Sequence, residues 1–227
     1  MSEPIKDHVV FFDIETVPST DEEVRRAAHA RATRIAEGKG EEAPTEEEAI
    51  QRFAMSNGIY NEIVSIAWAK GEGEVQVATA KDFEEVSLLT MFATALGNPK
   101  RVFLVGYNIF AFDLKVMFQR AVILGGPSHP EFENLFKVLP KPSVAPWQAG
   151  NALDLATYWN GVAGIKAPLY DLAVGLGLVS YDEAARYDNG ADVAGFVRDG
   201  EWNKLREHNA FDVHITREIY RRVVLGG

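Results

Sequence analysis

His8-Val9-Val10-Phe11-Phe12-Asp13-Ile14-Glu15-Thr16 is an apolar run of strand length that turns polar at its end. It reads as a buried strand carrying acids to the edge of a sheet. Strand side chains alternate between faces, so Asp13 and Glu15 are expected on one side and Ile14 on the other. Two carboxylates placed side by side repel unless a proton or a cation sits between them, and hard divalent ions such as Mg²⁺ prefer carboxylate oxygen. For this pair alone, a polar strand end running into a turn at Pro18 is the competing reading.

Residues 18–60 turn polar and rich in Ala, Glu and Arg, with a helix-start pattern over residues 18–23 and a break at Gly38 and Gly40. Two helices are expected there, interrupting the first strand and its neighbour at residues 63–69. A turn at Gly71-Glu72-Gly73 then leads into a hairpin partner at residues 75–79. Phe53, Met55 and Tyr60, near the end of the insertion, are read as core in preference to base-stacking groups. Residues 125–150, rich in Pro, Gly and Ser, are read as a loop-dominated passage walling a groove. Three strands in sequence, then helices alternating with strands, predict an α/β mixed sheet flanked by helices, with a helical insertion after the first strand.

A second apolar run, residues 101–107, breaks at Gly106 and Asn108 and continues through Phe112 and Asp113 into a helix marked by Leu114, Met117, Phe118 and Ala121. Asp113 thus falls in a first turn, where it either favours the helix dipole or serves a site. A third stretch, from Trp202, has apolar residues at helical intervals over about five turns. His208 and Asp212, four apart on it, share one face and can reach a common ligand. Asn151 to Leu155 reads as a short strand or helix start, with Asp154 as a cap in preference to a site acid. Residues 169–178 read as a short apolar helix preceded by Lys166.

In this order the three motifs resemble the DEDD superfamily of 3′-5′ exonucleases, most closely the proofreading exonuclease domains of family B DNA polymerases. Asp13 to Pro18 looks like the first motif, Gly106 through Leu114 the second, and His208 through Val213 the third, so the resemblance spans nearly the whole chain. It implies a ribonuclease H-like fold with Asp13, Glu15, Asp113 and Asp212 as ligands to two divalent metal ions, Mg²⁺ or Mn²⁺. It also implies a supporting position for Asn108 and the 3′ end of single-stranded DNA or RNA as substrate; Asn108, Phe112 and Lys166 are the candidate substrate-binding residues. Two cations roughly 3.5–4 Å apart can clamp the attacking and leaving oxygens of a phosphodiester. The polymerase-like branch has Tyr four residues before its final Asp, and this chain has His208 at that spacing. A neutral imidazole suits a role in orienting or deprotonating the nucleophilic water.

At 227 residues with 47% apolar content, the chain is expected to form a single domain with one sizeable core. Zero cysteines exclude disulfides and a thiolate zinc site. No segment has the length of a membrane span or the pattern of a signal peptide, so a cytoplasmic location is the default. A net charge of −10 argues against a broad basic surface for nucleic acid. Many of the acids, however, fall at residues 21–23 and 41–48, so shallow binding of a few nucleotides is expected. Lys115, Arg120, Lys166, Arg217 and Arg221 are the candidate phosphate contacts. Two rivals remain: an aspartyl-phosphate-type phosphatase, against which Glu15 argues, and a catalytically silent nucleic-acid-binding domain of the same fold.

Overall fold

Each face of the first strand is packed by a different group of side chains, and that division organises the molecule. In the computed structural model, which describes residues 4–55, 57–143, 145, 148–161, 165–187 and 193–226, strand β1 runs over Val9–Pro18. Val10, Phe12 and Ile14 point into one core and Val9 and Phe11 into the other, as strand alternation requires. β1 is flanked by β2 (Asn61–Lys70), antiparallel, and by β4 (Phe103–Gly106), parallel. β3 (Gln76–Thr79) and β5 (Ala152–Asp154) form the edges, giving the order β3-β2-β1-β4-β5. This mixed five-stranded sheet with helices on both faces is a ribonuclease H-like α/β fold, with the expected helical insertion after β1.

That insertion holds α1 (Glu22–Lys39) and α2 (Glu46–Ala54). Asp21 caps α1 by accepting from the Glu23 and Val24 amides, and Thr45 with Glu48 forms a capping box on α2. The two helices bury Ala28, Ile50 and Ala54 against Tyr60 and are tied together by Arg25, 3.0 Å from Glu46 and 2.6 Å from Glu47. Phe53 and Tyr60 pack together at a ring distance of 5.2 Å, as expected of core residues. Met55 departs from that expectation and is 80% exposed. It follows the last turn of α2, where no second layer covers it.

α3 (Glu85–Leu96) and α4 (Asp113–Ile123) cover one face of the sheet, and α10 (Trp202–Val223) covers the other across β1, β2 and β3. α7 (Leu169–Gly175) and α9 (Val193–Arg198) pack beside α10, and α8 (Tyr181–Tyr187) packs on α7. The passage at residues 125–150 is helical up to Val138, in place of the expected loop, and irregular beyond it. It contains two 3₁₀ turns and α5 (Glu133–Val138), which packs on α3, and Phe132, Leu135, Val138 and Leu139 are buried in the α3 and α4 core. Up to Val138 the Pro and Gly residues that signalled a loop punctuate short helical pieces. Positions 144, 146 and 147 lie outside the described residues. Residues 151–155 contain both expected elements, β5 followed by α6 (Leu155–Asn160). Among the described residues, no helix is long and apolar enough to cross a membrane.

Candidate metal centre

The acids of β1 face α10. Asp13 and Glu15 lie on the same side of the strand, where Asn209 of α10 donates to Asp13 Oδ2 at 2.9 Å and His208 Nε2 lies 3.1 Å from Glu15 Oε1. The register of β1 against β2 shifts between Glu15 and Thr16, an irregularity of the kind that re-aims side chains at the end of a strand. One turn along α10, Asp212 Oδ2 lies 3.7 Å from His208 Nε2. Glu15, His208 and Asp212 each offer a ligand atom, and these atoms lie within 4.8 Å of one another.

Asp113 reaches the same region from the first residue of α4, and its Oδ1 accepts from the Ile14 amide at 3.2 Å. The turn that delivers it has narrow requirements. A Cβ on Gly106 would come within 2.2 Å of the Ile109 side chain, so only glycine allows the chain to close here. Asn108 adopts a left-handed φ of 62°, which Asn tolerates better than most residues. Asp154 caps α6 through the Ala156 and Thr157 amides and also accepts from the Asn108 and Phe110 amides. The preferred reading of Asp154 as a cap therefore holds, and the same carboxylate fixes the second-motif turn.

Burial dominates the electrostatics. Asp13 is pushed well above the usual carboxylate range by desolvation and then by the charges of Asp113, Asp212 and Glu15. Asp113 is 4% exposed, and burial raises it from 3.8 to about 7; hydrogen bonds from backbone amides oppose the rise, while Glu15 and Asp154 add to it. Tyr170 is held fully protonated by burial and by the neighbouring Asp212 charge. Its hydroxyl donates to Asp212 Oδ1.

Of the candidate substrate residues, Lys166 donates to Asn108 Oδ1 at 2.5 Å and lies 3.9 Å from Asp154. Phe112 and Glu15 both line a cavity of about 810 Å³ that extends past Val17 and Pro18 to Arg52 and Met55 of the insertion. Three other candidate phosphate contacts are engaged elsewhere. Arg120 is buried against Glu85, 2.5 Å away, and donates to the Gly58 carbonyl. Arg217 donates to the Gly73 carbonyl at 2.6 Å, and Arg221 holds Glu218 and Glu72, both at 2.5 Å. Arg217 and Arg221 of α10 meet the turn between β2 and β3, and Arg120 of α4 meets Glu85 of α3, partners that a single sequence does not reveal. Lys115 is half-buried on α4.

Two residues of the site carry no sequence signal of their own. Asn209 is masked by its more conspicuous neighbour His208, and Tyr170 lies in what reads as a plain apolar helix. A tyrosine four residues after Lys166 is the one hint available for the latter.

The strands and helices that carry these side chains make a fold class also found in polymerases. A family B DNA polymerase from the hyperthermophilic archaeon Pyrobaculum calidifontis superposes with a TM-score of 0.63 at 19% identity, over 98% of this chain. The chain spans about a quarter of that polymerase, 25% of its length, and the likeness is one of fold. No protein-family profile matches the chain, and no curated protein does.

Proposed function

We propose that the protein is a metal-dependent 3′-5′ exonuclease of the DEDD type that hydrolyses the terminal phosphodiester of single-stranded nucleic acid, with DNA as the preferred strand. The observation that carries this reading is the meeting of Glu15, His208 and Asp212 within 4.8 Å, with half-buried Asp13 and buried Asp113 beside them. The four acids offer hard oxygens, and Asp13 is raised by desolvation and then by three neighbouring acids, so the set suits divalent cations. Asp13, Glu15, Asp113 and Asp212 would hold two such ions, Mg²⁺ or Mn²⁺. Bound there, the ions supply activation of water and stabilisation of the leaving oxygen.

The chain's own groups have separate tasks. The Lys166 ammonium, held by Asn108, meets the charge of the scissile phosphate. The Phe112 ring lines the cavity beside Glu15 and supports the terminal nucleotide. His208 Nε2, 3.1 Å from Glu15 and 3.7 Å from Asp212, orients the attacking water, and the His208–Glu15 pair takes its proton. Water oxygen bonds to phosphorus, the bond to the 3′ oxygen of the preceding nucleotide breaks, and that oxygen takes a proton from solvent. The product is a nucleoside 5′-monophosphate. The −10 net charge fits shallow capture of a strand end, without a broad basic surface.

The test uses single-stranded DNA and matched RNA, each labelled at the 5′ or the 3′ end, with Mg²⁺, Mn²⁺ or EDTA. An Asp13→Ala/Glu15→Ala variant is the control. Expected are a metal-dependent ladder from the 5′ label, early release of the 3′ label, and loss of both in the variant. Intact strands under every metal, from a folded protein, would abandon this reading. Turnover of para-nitrophenyl phosphate in the same buffers would put a phosphatase in its place.

A further inference from the structure

The α10 acid of the site is oriented from outside its own helix. Asp212 Oδ2 faces His208 at 3.7 Å, while Oδ1 is taken by the Tyr170 hydroxyl of α7. The two oxygens therefore have different neighbours, one inside the acid cluster and one tied to a neutral donor. The phenol cannot easily swing away. Tyr170 is 6% exposed and stacks on Phe211 at 6.0 Å, and Phe211 stacks in turn on Tyr187 at 4.0 Å. Phe211 immediately precedes Asp212, so the same stack restrains the backbone that carries the acid.

The kind of donor matters as much as its position. A Lys or Arg at this point would neutralise Asp212 and compete with any cation for it. A phenol fixes one oxygen and leaves the full charge on the carboxylate. Asp13 is treated the same way from the other side, by the neutral amide of Asn209. We propose that Tyr170 is a positioning residue that sets the Asp212 carboxylate for divalent-metal binding, an inference that rests on the exonuclease reading above. Groups that hydrogen-bond a metal-ligating carboxylate govern metal affinity without touching the metal, and losing one costs roughly 10–100-fold in affinity or activity.

Tyr170→Phe keeps the ring and its stack and removes only the hydroxyl. The experiment measures Mn²⁺ binding by calorimetry, together with kcat and KM for a 5′-labelled oligonucleotide, in the full chain. Tyr220→Phe is the comparison, because it removes the hydroxyl of a core tyrosine on α10 whose ring packs on Phe11 and which bonds none of the four acids. Circular dichroism establishes that each variant is folded. Tyr170→Phe is expected to weaken Mn²⁺ binding about tenfold or more and to lower kcat at subsaturating metal. Its KM for the oligonucleotide should stay at the wild-type value, and Tyr220→Phe should match wild type throughout. Unchanged Mn²⁺ affinity and kcat in a folded Tyr170→Phe protein would overturn the inference while leaving the exonuclease reading standing. Wild-type protein that binds no Mn²⁺ and hydrolyses nothing would overturn both.

Discussion

Asp113 makes the metal-free protein lose stability as pH rises through the neutral range. Its folded-state carboxyl is raised from 3.8 to about 7 by burial. The folded protein therefore holds a proton that the unfolded chain releases near 3.8. The stabilisation is complete below 3.8 and is lost as pH climbs to about 7. At about 1.4 kcal/mol per pH unit, the gap is worth about 4 kcal/mol. About 3 kcal/mol of it is lost between pH 5 and pH 8, which for a domain of this size is a fall in Tm of about 5 °C or more. The assay is scanning calorimetry in EDTA from pH 5 to pH 8 on wild type and on Asp113→Asn, which keeps the oxygen facing the Ile14 amide but cannot ionise. Wild-type Tm should fall across this window, and the variant's profile should be flatter. Millimolar Mg²⁺ should raise wild-type Tm more at pH 8 than at pH 5, because protons compete with the metal for the same oxygens. A wild-type Tm that is flat or rising in EDTA, or an Asp113→Asn protein with the full wild-type slope, would refute the reasoning.

Asp13→Ala/Glu15→Ala should lower kcat more than roughly a hundredfold, beyond the loss expected from an outer hydrogen-bonding partner, and should abolish the Mn²⁺-induced rise in Tm. Lys166→Met should flatten the log–log salt dependence of single-strand binding by about 0.7, the value of one phosphate contact, as filter binding across a salt series would measure. Arg217→Gln with Arg221→Gln should leave that slope unaltered, since both side chains are spent on the β2–β3 hairpin and its neighbours. Glu85→Gln strands the buried Arg120 charge and should cost about 3–5 kcal/mol in denaturant unfolding, with KM for substrate unchanged.

The elements that could be read from the sequence are those with a strong local pattern. The apolar run before Asp13, the capping residues of the insertion and the helical spacing around His208 all rest on short-range rules, and each element formed where expected. The same spacing placed His208 and Asp212 on one face of α10, where the structure has them facing each other. The passage from 125 to 150 misled because Pro and Gly mark breaks in a chain without saying whether the pieces between are helical. Arg120, Arg217 and Arg221 misled because a cation's partner is set by tertiary packing, and Glu85 and the Gly73 carbonyl lie far away in sequence. Tyr170 was invisible for the same reason: its hydroxyl meets an acid across 42 positions.

Asn209 donates to Asp13 across 196 positions, and the Ile14 amide donates to Asp113 across 99. The cluster therefore exists only after β1, α4 and α10 have all docked, and most of the chain must be synthesised before its first and last acids can meet. Contacts this distant form late, once the entropy of closing long loops has been overcome. A nascent or misfolded chain presents the same acids scattered and solvated, unable to gather a cation. The hydrolytic capacity proposed for this protein is thereby tied to completion of its fold.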